Sequence, residues 1–145
     1  MKQKTLISAV SDTTSPLIHT YKVTIGTEIG QFTGIVECQP EDFTHESSNF
    51  GFTLAETKAM IAYGRGKRNN AQQRLAALQS FLGKMCNTRT FDADAYVYKK
   101  LVQECDNLRT EIRHWRQEVD HLKFWYAEQV RQRDAFFKAR EGKTV

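Results

Sequence analysis

The N-terminal third of the chain alternates apolar and polar residues with the two-residue period of a β-strand. The segments LIHTYKVTI and QFTGIVEC each place alternate side chains on one face: Leu17, His19, Tyr21, Val23 and Ile25, then Phe32, Gly34, Val36 and Cys38. Glycines 26 and 30 fall between them and predict a hairpin turn. The segment TLISAV, residues 5–10, is a candidate third strand, because a lone hairpin is marginal without a third strand or a helix. Residues 1–52 are therefore predicted to be β-rich, ending in a polar loop over QPEDFTHESSNFG.

Residues 53–83 follow a helical pattern and form the predicted first helical arm. Thr53 and Glu56 have the spacing of a capping box, which predicts a helix start at Thr53. Gly83 is placed to end the arm in the left-handed conformation. Three leucines recur at steps of three and four residues and predict a buried face: Leu75, Leu78 and Leu82.

The stretch AYGRGKRNNAQQR, residues 62–74, interrupts this arm with two glycines and four cations. Its GRGKR segment lacks the spacing, the Ser or Thr and the preceding strand of a phosphate-binding loop, so we reject a nucleotide site. The sequence leaves open whether residues 64–70 bend, break or continue the helix.

Residues 92–141 contain neither glycine nor proline and predict one long C-terminal helix. An apolar seam with coiled-coil spacing follows it: Tyr98, Leu101, Cys105, Leu108, Ile112, Trp115, Val119, Leu122 and Tyr126. Unbroken, the helix would be roughly 75 Å long, more than a domain of this size can cover. The prediction is a single α+β domain, residues 1–145, in which a short antiparallel sheet of two or three strands packs on a long antiparallel helical hairpin.

Charge is distributed unevenly along the chain, although the total is only +4. Residues 57–91 contain seven cations and no acid, whereas residues 92–122 have a net charge of −2. Pairing between the two helical arms would use some of these cations and leave others on the surface. We expect Arg65, Lys67 and Arg68 to be exposed, and these residues with Arg74 form a candidate partner-binding surface.

The C-terminal stretch HLKFWYAEQVRQRDAFFKAR interleaves aromatic and basic residues. Consecutive residues on a helix point about 100° apart, so Phe124, Trp125 and Tyr126 cannot all lie on one seam. Either the N-terminal sheet covers these aromatic residues, or a partner does. The candidate partner-binding residues here are Phe124, Trp125, Arg131, Arg133, Phe136, Phe137 and Arg140.

The sequence shows no recognisable catalytic or cofactor motif. Glu111, His114, Glu118 and His121 share a helix face, but the better interpretation is the polar flank of a coiled coil, because no further ligand is evident. The three cysteines show no disulfide or zinc spacing, and no segment has the length of a membrane span. We therefore expect a cytoplasmic protein without metal or cofactor.

Three hypotheses of function follow. The first is a non-enzymatic protein that binds another protein or a second copy of itself. A phage or mobile-element protein that inhibits a nucleic-acid-processing enzyme, as anti-CRISPR proteins do, would fit this hypothesis. The alternative is direct DNA or RNA binding through residues 65–74 and the C-terminal arginines and lysines. An enzyme is the weakest hypothesis, because no constellation of residues supports one.

Overall fold

The computed structural model describes the backbone of residues 5–15, 18–38, 45–93 and 95–142. Side chains are described for residues 5–11, 20–37, 50–93 and 95–139, so those of Leu17, His19 and Cys38 lie outside this set. The elements, in chain order, are β1 (Thr5–Ser15), β2 (Ile18–Thr27), β3 (Gly30–Cys38), α1 (His45–Cys86) and α2 (Tyr96–Gly142). The predicted α+β class, an N-terminal antiparallel sheet on a hairpin of two long helices, is confirmed.

The sheet has the order β1-β2-β3, and both neighbouring pairs are antiparallel. Thr27 pairs with Gly30, so the β2–β3 turn contains only Glu28 and Ile29. Gly30 has a φ of 129°, which an L side chain rarely adopts, so a glycine is required here. The candidate third strand at residues 5–10 is present and extends to Ser15.

Helix α1 approaches the sheet at two glycines, one on each element. A Cβ added at Gly34 of β3 would overlap the carbonyl oxygen of Ala55 and lie 2.7 Å from the backbone nitrogen of Ala59. A Cβ at Gly51 of α1 would overlap the ring of Tyr21 on β2. Gly51, Ala55 and Ala59 recur every four residues, so a line of small residues lets the helix backbone approach the strands.

The predicted start of α1 at Thr53 is wrong, because the helix begins at His45. The packing of Gly51 on the Tyr21 ring explains the earlier start, together with the edge-to-face contact of Tyr21 with Phe52 at 5.0 Å between centroids. Thr53 lies within the helix, beyond its first turn, and its carbonyl oxygen accepts a hydrogen bond of 2.9 Å from Thr57 Oγ1. Tertiary packing therefore outweighs a local capping signal worth about 1 kcal/mol.

The predicted end of α1 at Gly83 is also wrong, because the helix continues to Cys86. Gly83 does not have a positive φ, as the left-handed cap requires. Met85 is half-buried, at the spacing that continues the line of Leu78 and Leu82. The apolar pattern of α1 therefore extends past the glycine. Residues 64–70, whose conformation the sequence left open, are helical without interruption.

The chain divides into two compact units. The sheet unit consists of Met1–Tyr63 with Val119–Val145, and the hairpin unit is Gly64–Glu118. The sheet unit buries Tyr21, Val23, Ile25, Val36 and Leu54, and it contains a second cluster formed by Ile61, Val119 and Leu122. The hairpin unit has a smaller core of Ala71, Leu108 and Ile112, on which Leu75 and Leu78 pack as half-buried residues. Leu82, predicted to be core, is half-buried.

The predicted seam of the C-terminal helix is confirmed, because all nine of its residues are buried or half-buried. Helix α2 begins at Tyr96 rather than at Asp92. A backbone hydrogen bond of 3.1 Å, donated by the Ala95 N–H to the Asp92 carbonyl oxygen, precedes the helix. Neither helix, over its described residues, is apolar enough along a sufficient length to cross a membrane.

A buried tyrosine fastens the β2–β3 turn to α1 within the sheet unit. Tyr63 is fully buried and donates a hydrogen bond of 2.7 Å to Glu28 Oε1 in the turn. Its ring also contacts Phe32 edge to face at 5.8 Å between centroids. Burial raises the pKa of Tyr63 well above its usual value, and the bond to Glu28 adds to the increase.

Candidate protein-binding site

Two consecutive aromatic residues are exposed on α2 in the sheet unit. Phe124 is 69% exposed and Trp125 is 47% exposed, whereas the next residue, Tyr126, packs on the Ile61, Val119 and Leu122 cluster. The 100° step between helix residues explains this division, because Tyr126 occupies the seam position. Exposed tryptophan and phenylalanine side chains are among those enriched at protein interfaces.

Trp125 borders an open groove of about 360 Å³ within the sheet unit. Residues of α1 and α2 line the groove: Thr53, Glu56, Thr57, Met60, His121, Leu122, Trp125 and Gln129. Met60, Leu122 and the indole make its surface largely apolar. Glu56 and His121 are exposed and add polar groups. The combination of apolar walls and few polar groups is typical of a binding site.

Gln129 contributes a buried amide to the groove. The residue is only 5% exposed, and its Oε1 lies 3.2 Å from the hydroxyl of Thr57. Its Nε2 is buried and has no hydrogen-bond partner among the described residues. The single proton of the Thr57 hydroxyl is donated to Thr53, so this hydroxyl can only accept a hydrogen bond from the Gln129 amide. With the amide nitrogen turned towards Thr57, the buried atom without a described partner is Oε1 instead, and the deficit persists. A buried amide group without a partner destabilises the folded state by about 1–3 kcal/mol.

Gln129 was missed at the sequence level, although a signal for it exists. It lies three residues after Tyr126 and therefore continues the apolar seam of α2. A polar residue at a seam position predicts either a buried hydrogen bond or a functional role. Thr57 had no comparable signal, because its burial depends on which face of α1 packs inward.

Phe136 and Phe137 are half-buried rather than exposed. The ring of Phe136 lies 5.7 Å from that of Phe50 on α1 and 5.5 Å from that of Phe137, measured between centroids. This part of the sheet unit therefore covers some of the aromatic surface that the sequence left without a partner. Phe124 and Trp125 remain the larger exposed aromatic surface on α2.

The basic candidates near the C-terminus make local ion pairs. Arg131 forms hydrogen bonds with Glu128 one turn earlier, and these hold the pKa of Glu128 below its usual value. Arg133 lies 3.7 Å from Asp134. The side chain of Arg140 is outside the described set. These pairs reduce the charge that Arg131 and Arg133 can offer to a partner.

The basic candidates of residues 65–74 differ in exposure. Arg65 is exposed as predicted, but the predicted exposure of Lys67 is wrong, because Lys67 is only 9% exposed. Its ammonium lies 5.8 Å from the ring centroid of Trp115, a cation–π contact inside the hairpin unit. Arg68 is half-buried. Arg74 lies 3.9 Å from Glu104, which agrees with the expected charge pairing between the arms.

Lys67 is buried because α1 does not break at the glycines. In an unbroken helix, residue 67 precedes the buried Ala71 by four residues and therefore lies on the same face. The long aliphatic stem of lysine can pack on this face. The exposure of Lys67 was expected from the surplus of positive charge in this segment, but the continuous helix places residue 67 on the buried face.

Metal and cofactor chemistry has no obvious location on the described part of the chain. No three His, Cys, Asp or Glu side chains among those residues are arranged to hold a metal ion. His114 stacks edge to face on Trp115, with 5.0 Å between ring centroids, and His121 lines the groove of the sheet unit. The two histidines therefore have different surroundings.

No family model, curated protein or solved structure matches the chain significantly.

Proposed function

We propose that this chain is a non-enzymatic protein that binds another protein through the groove beside Trp125. The observation that supports this most strongly is the exposed Trp125, which follows the exposed Phe124 and borders an open groove containing the buried amide of Gln129. A bound partner would cover the apolar wall and would supply a hydrogen bond to the unsatisfied amide beside it.

The chemistry of the groove favours a polypeptide over a small polar metabolite. Trp and Phe provide large rigid surfaces, and Trp is among the residues that contribute most to protein interfaces. A polypeptide provides both parts of the complement, an apolar side chain for the groove and a backbone N–H or C=O group for the Gln129 amide. Burying the two aromatic side chains would contribute about 1.5–3 kcal/mol for each fully buried ring.

An inhibitor of a nucleic-acid-processing enzyme is one form of this proposal. The hairpin unit supports it, since residues 64–118 contain eleven Lys and Arg against six Asp and Glu, a net charge of +5. Such a surface suits a protein groove that normally faces phosphates. A phage or mobile-element origin would agree with that role, but no residue of the chain argues for the origin itself.

The test uses an aromatic double variant, Phe124→Gln with Trp125→Gln, and a matched control. The control is Tyr96→Gln, which removes an aromatic residue that is 75% exposed in the hairpin unit. Each tagged protein is incubated with native cell extract, and captured proteins are then purified and titrated individually. Light scattering on each variant measures self-association, because a second copy of the chain is a candidate partner.

We expect the double variant to lose a specific complex that wild type and Tyr96→Gln both form. With two aromatic side chains removed from the interface, affinity should fall by at least about 100-fold. Circular dichroism must show unchanged helicity. A complex of equal affinity in all three proteins would contradict the proposal, and so would unfolding of the double variant, which would show that the aromatic residues are core.

A further inference from the structure

Five arginines of the hairpin unit belong to one surface, which we call the arginine face: Arg65, Arg68, Arg109, Arg113 and Arg116. The three on α2 line an open groove of about 430 Å³ together with Gln72, Leu75 and Ile112. The two on α1 precede Gln72 by seven and four residues, so helical spacing places them on the same side of α1 as Gln72.

Most of these guanidinium groups have no anion to bind within the described chain. Arg109 bonds Asp106 at 2.8 Å, but none of the other four forms a hydrogen bond or ion pair with a described residue. Arg68 Nε is buried and also has no acceptor there. Arg74 differs from them, since it reaches Glu104.

Asp106 lies beside Arg109, but the glutamates of α2 in the hairpin unit are separated from the arginine face by the seam. Glu104, Glu111 and Glu118 recur every seven residues and precede the seam residues Cys105, Ile112 and Val119 by one position. Arg109 and Arg116 follow the seam residues Leu108 and Trp115 by one position, and they therefore flank the seam on its other side. This separation leaves the positive charge of the arginine face uncompensated by the acidic stripe.

The geometry suits a row of phosphates better than a single anion. Arg109, Arg113 and Arg116 advance by four and three residues, which spans about 10 Å along the helix at 1.5 Å per residue. A nucleic-acid strand carries one phosphate per about 3.4 Å of helix axis, so this span corresponds to about three phosphates. Guanidinium groups bind phosphate oxygens in pairs of parallel hydrogen bonds.

The groove lining provides no aromatic surface on which unpaired bases could stack. Leu75 and Ile112 are aliphatic, and no aromatic residue lines this groove to stack on an unpaired base. Contacts to the backbone alone carry no direct sequence information. Binding through phosphate contacts would therefore be sequence-independent, and without a stacking surface it would not favour single strands.

We propose that the arginine face binds the phosphate backbone of duplex nucleic acid. This function is separate from the proposed protein-binding groove, because the two surfaces lie on different units. It shares Arg65 and Arg68 with the basic segment 65–74, but it adds arginines of α2 in place of Lys67, which is buried, and of the C-terminal cations.

Fluorescence anisotropy tests the proposal with labelled 24-base-pair duplexes of DNA and RNA and with a single strand of equal length. The full-length protein is titrated from 20 to 200 mM salt. Four or five phosphate contacts predict a slope of about −3.6 to −4.5 in log affinity against log salt. The variant Arg113→Gln with Arg116→Gln should bind duplex at least about tenfold more weakly, and its slope should become less negative by about 1.8.

The control variant, Arg74→Gln with Arg131→Gln, removes the same charge from paired arginines. We expect it to reduce affinity by less than about threefold with little change in slope. If the first variant loses helicity, Arg113→Lys with Arg116→Lys replaces it. That variant keeps the charge but not the bidentate geometry, and it should still lose about threefold or more.

Three outcomes would overturn the proposal. The first is no binding of any duplex at the lowest salt. The second is an equal loss of affinity in the groove and control variants, which would show that only net charge matters. The third is competition by polyglutamate as effective as that by DNA, which would assign the surface to an acidic protein. Comparable binding of DNA and RNA duplexes supports backbone recognition, and a preference for one of them identifies the biological ligand.

Discussion

The sheet unit and the hairpin unit use the same two helices but differ in what they bury and in what they expose. The sheet unit adds three strands and buries large side chains such as Tyr21 and Tyr63, whereas the hairpin unit depends on a narrow core around Leu108 and Ile112. Their charges differ as well. Residues 64–118 have a net charge of +5, so the rest of the chain has a net charge of −1.

This difference shows that one helix pair can provide two kinds of surface. Where strands pack on α1, the remaining surface of α2 exposes Phe124 and presents Trp125 beside an apolar groove. In the hairpin unit, α2 presents Arg113 and Arg116, which pair with no described residue, beside a groove with an aliphatic floor. The first surface suits a polypeptide and the second suits a polyanion.

The largest loss of stability should come from adding a side chain at Gly34, where β3 and α1 are in close contact. In Gly34→Val the new side chain overlaps the backbone of α1 at Ala55, which cannot move without separating helix from sheet. We expect a loss of more than about 3 kcal/mol in the free energy of unfolding. Hydrogen exchange, resolved along the chain, should show the loss in the sheet unit. Native stability in this variant would contradict the close packing of β3 on α1.

A cavity made in the core of the hairpin unit should destabilise the protein somewhat less. Its effect should appear in the hairpin unit and not in the sheet unit. Leu108 is buried against Ala71 and Ile112, so Leu108→Ala should lower the free energy of unfolding by about 3 kcal/mol. The exchange of backbone amides within residues 64–118 should accelerate more than that of β2 and β3. Equal acceleration everywhere would show that the two units unfold as one and would remove the basis for comparing them.

Removing the Tyr63 hydroxyl should have a moderate, pH-dependent effect on the sheet unit. Tyr63→Phe loses the hydrogen bond to Glu28 and should cost about 1 kcal/mol near neutral pH. Because burial raises the pKa of Tyr63, the folded state retains a proton that the unfolded state releases above about pH 10. The stability from this group is complete below about pH 10 and is lost as the pH rises towards the raised pKa.

Urea titrations of wild type and Tyr63→Phe between pH 8 and 11 measure this effect. The difference between the two proteins should decrease above about pH 10, because the wild-type hydroxyl is then ionised in the unfolded chain. A constant difference across the range would show that the tyrosine is not shielded from solvent as the structure indicates.

The smallest expected effect is a gain of stability from a substitution at Gly83. This glycine also serves as the control position for the Gly34→Val variant. A Cβ at Gly83 in the hairpin unit meets no atom within 4 Å, and the residue is exposed within α1. Gly83→Ala should therefore raise the free energy of unfolding by about 0.5–1 kcal/mol. A destabilised variant would indicate that Gly83 adopts the helix-ending conformation that the sequence predicted.

The sequence predicted those features that repeat with a fixed period. The seam of α2 follows from nine residues at steps of three and four, and the strands follow from alternation over eight or nine residues. Each of these patterns depends on many residues at once, so a single exception does not change the outcome. The overall fold class could be inferred for the same reason.

The bounds of α1 could not be predicted, because single long-range contacts determine them. Thr53 has good capping chemistry, yet the Gly51 contact with Tyr21 joins residues thirty positions apart and extends the helix. The burial of Lys67 likewise depends on the helix continuing through two glycines. Sequence alone does not indicate which of two local preferences tertiary packing will override.

Both candidate surfaces also depend on which helix flanks meet. The exposure of Phe124 and Trp125 was one of two open alternatives, and it required the position of the sheet to be known. Arg113 and Arg116 carried no motif, and their grouping with Gln72 follows only from the packing of α2 on α1 in the hairpin unit. Gln129 was the exception, since its seam position was visible in the sequence.

The two tryptophans allow a direct measurement of the central claim, because Trp125 lies in the sheet unit and Trp115 in the hairpin unit. In a Trp115→Phe variant, Trp125 is the only indole, and its emission is recorded while a captured partner lacking tryptophan is added. If the groove is the protein-binding site, the emission should shift to shorter wavelength and acrylamide quenching should fall at least about twofold. A saturated complex in which Trp125 is quenched as strongly as in the free protein would contradict the account.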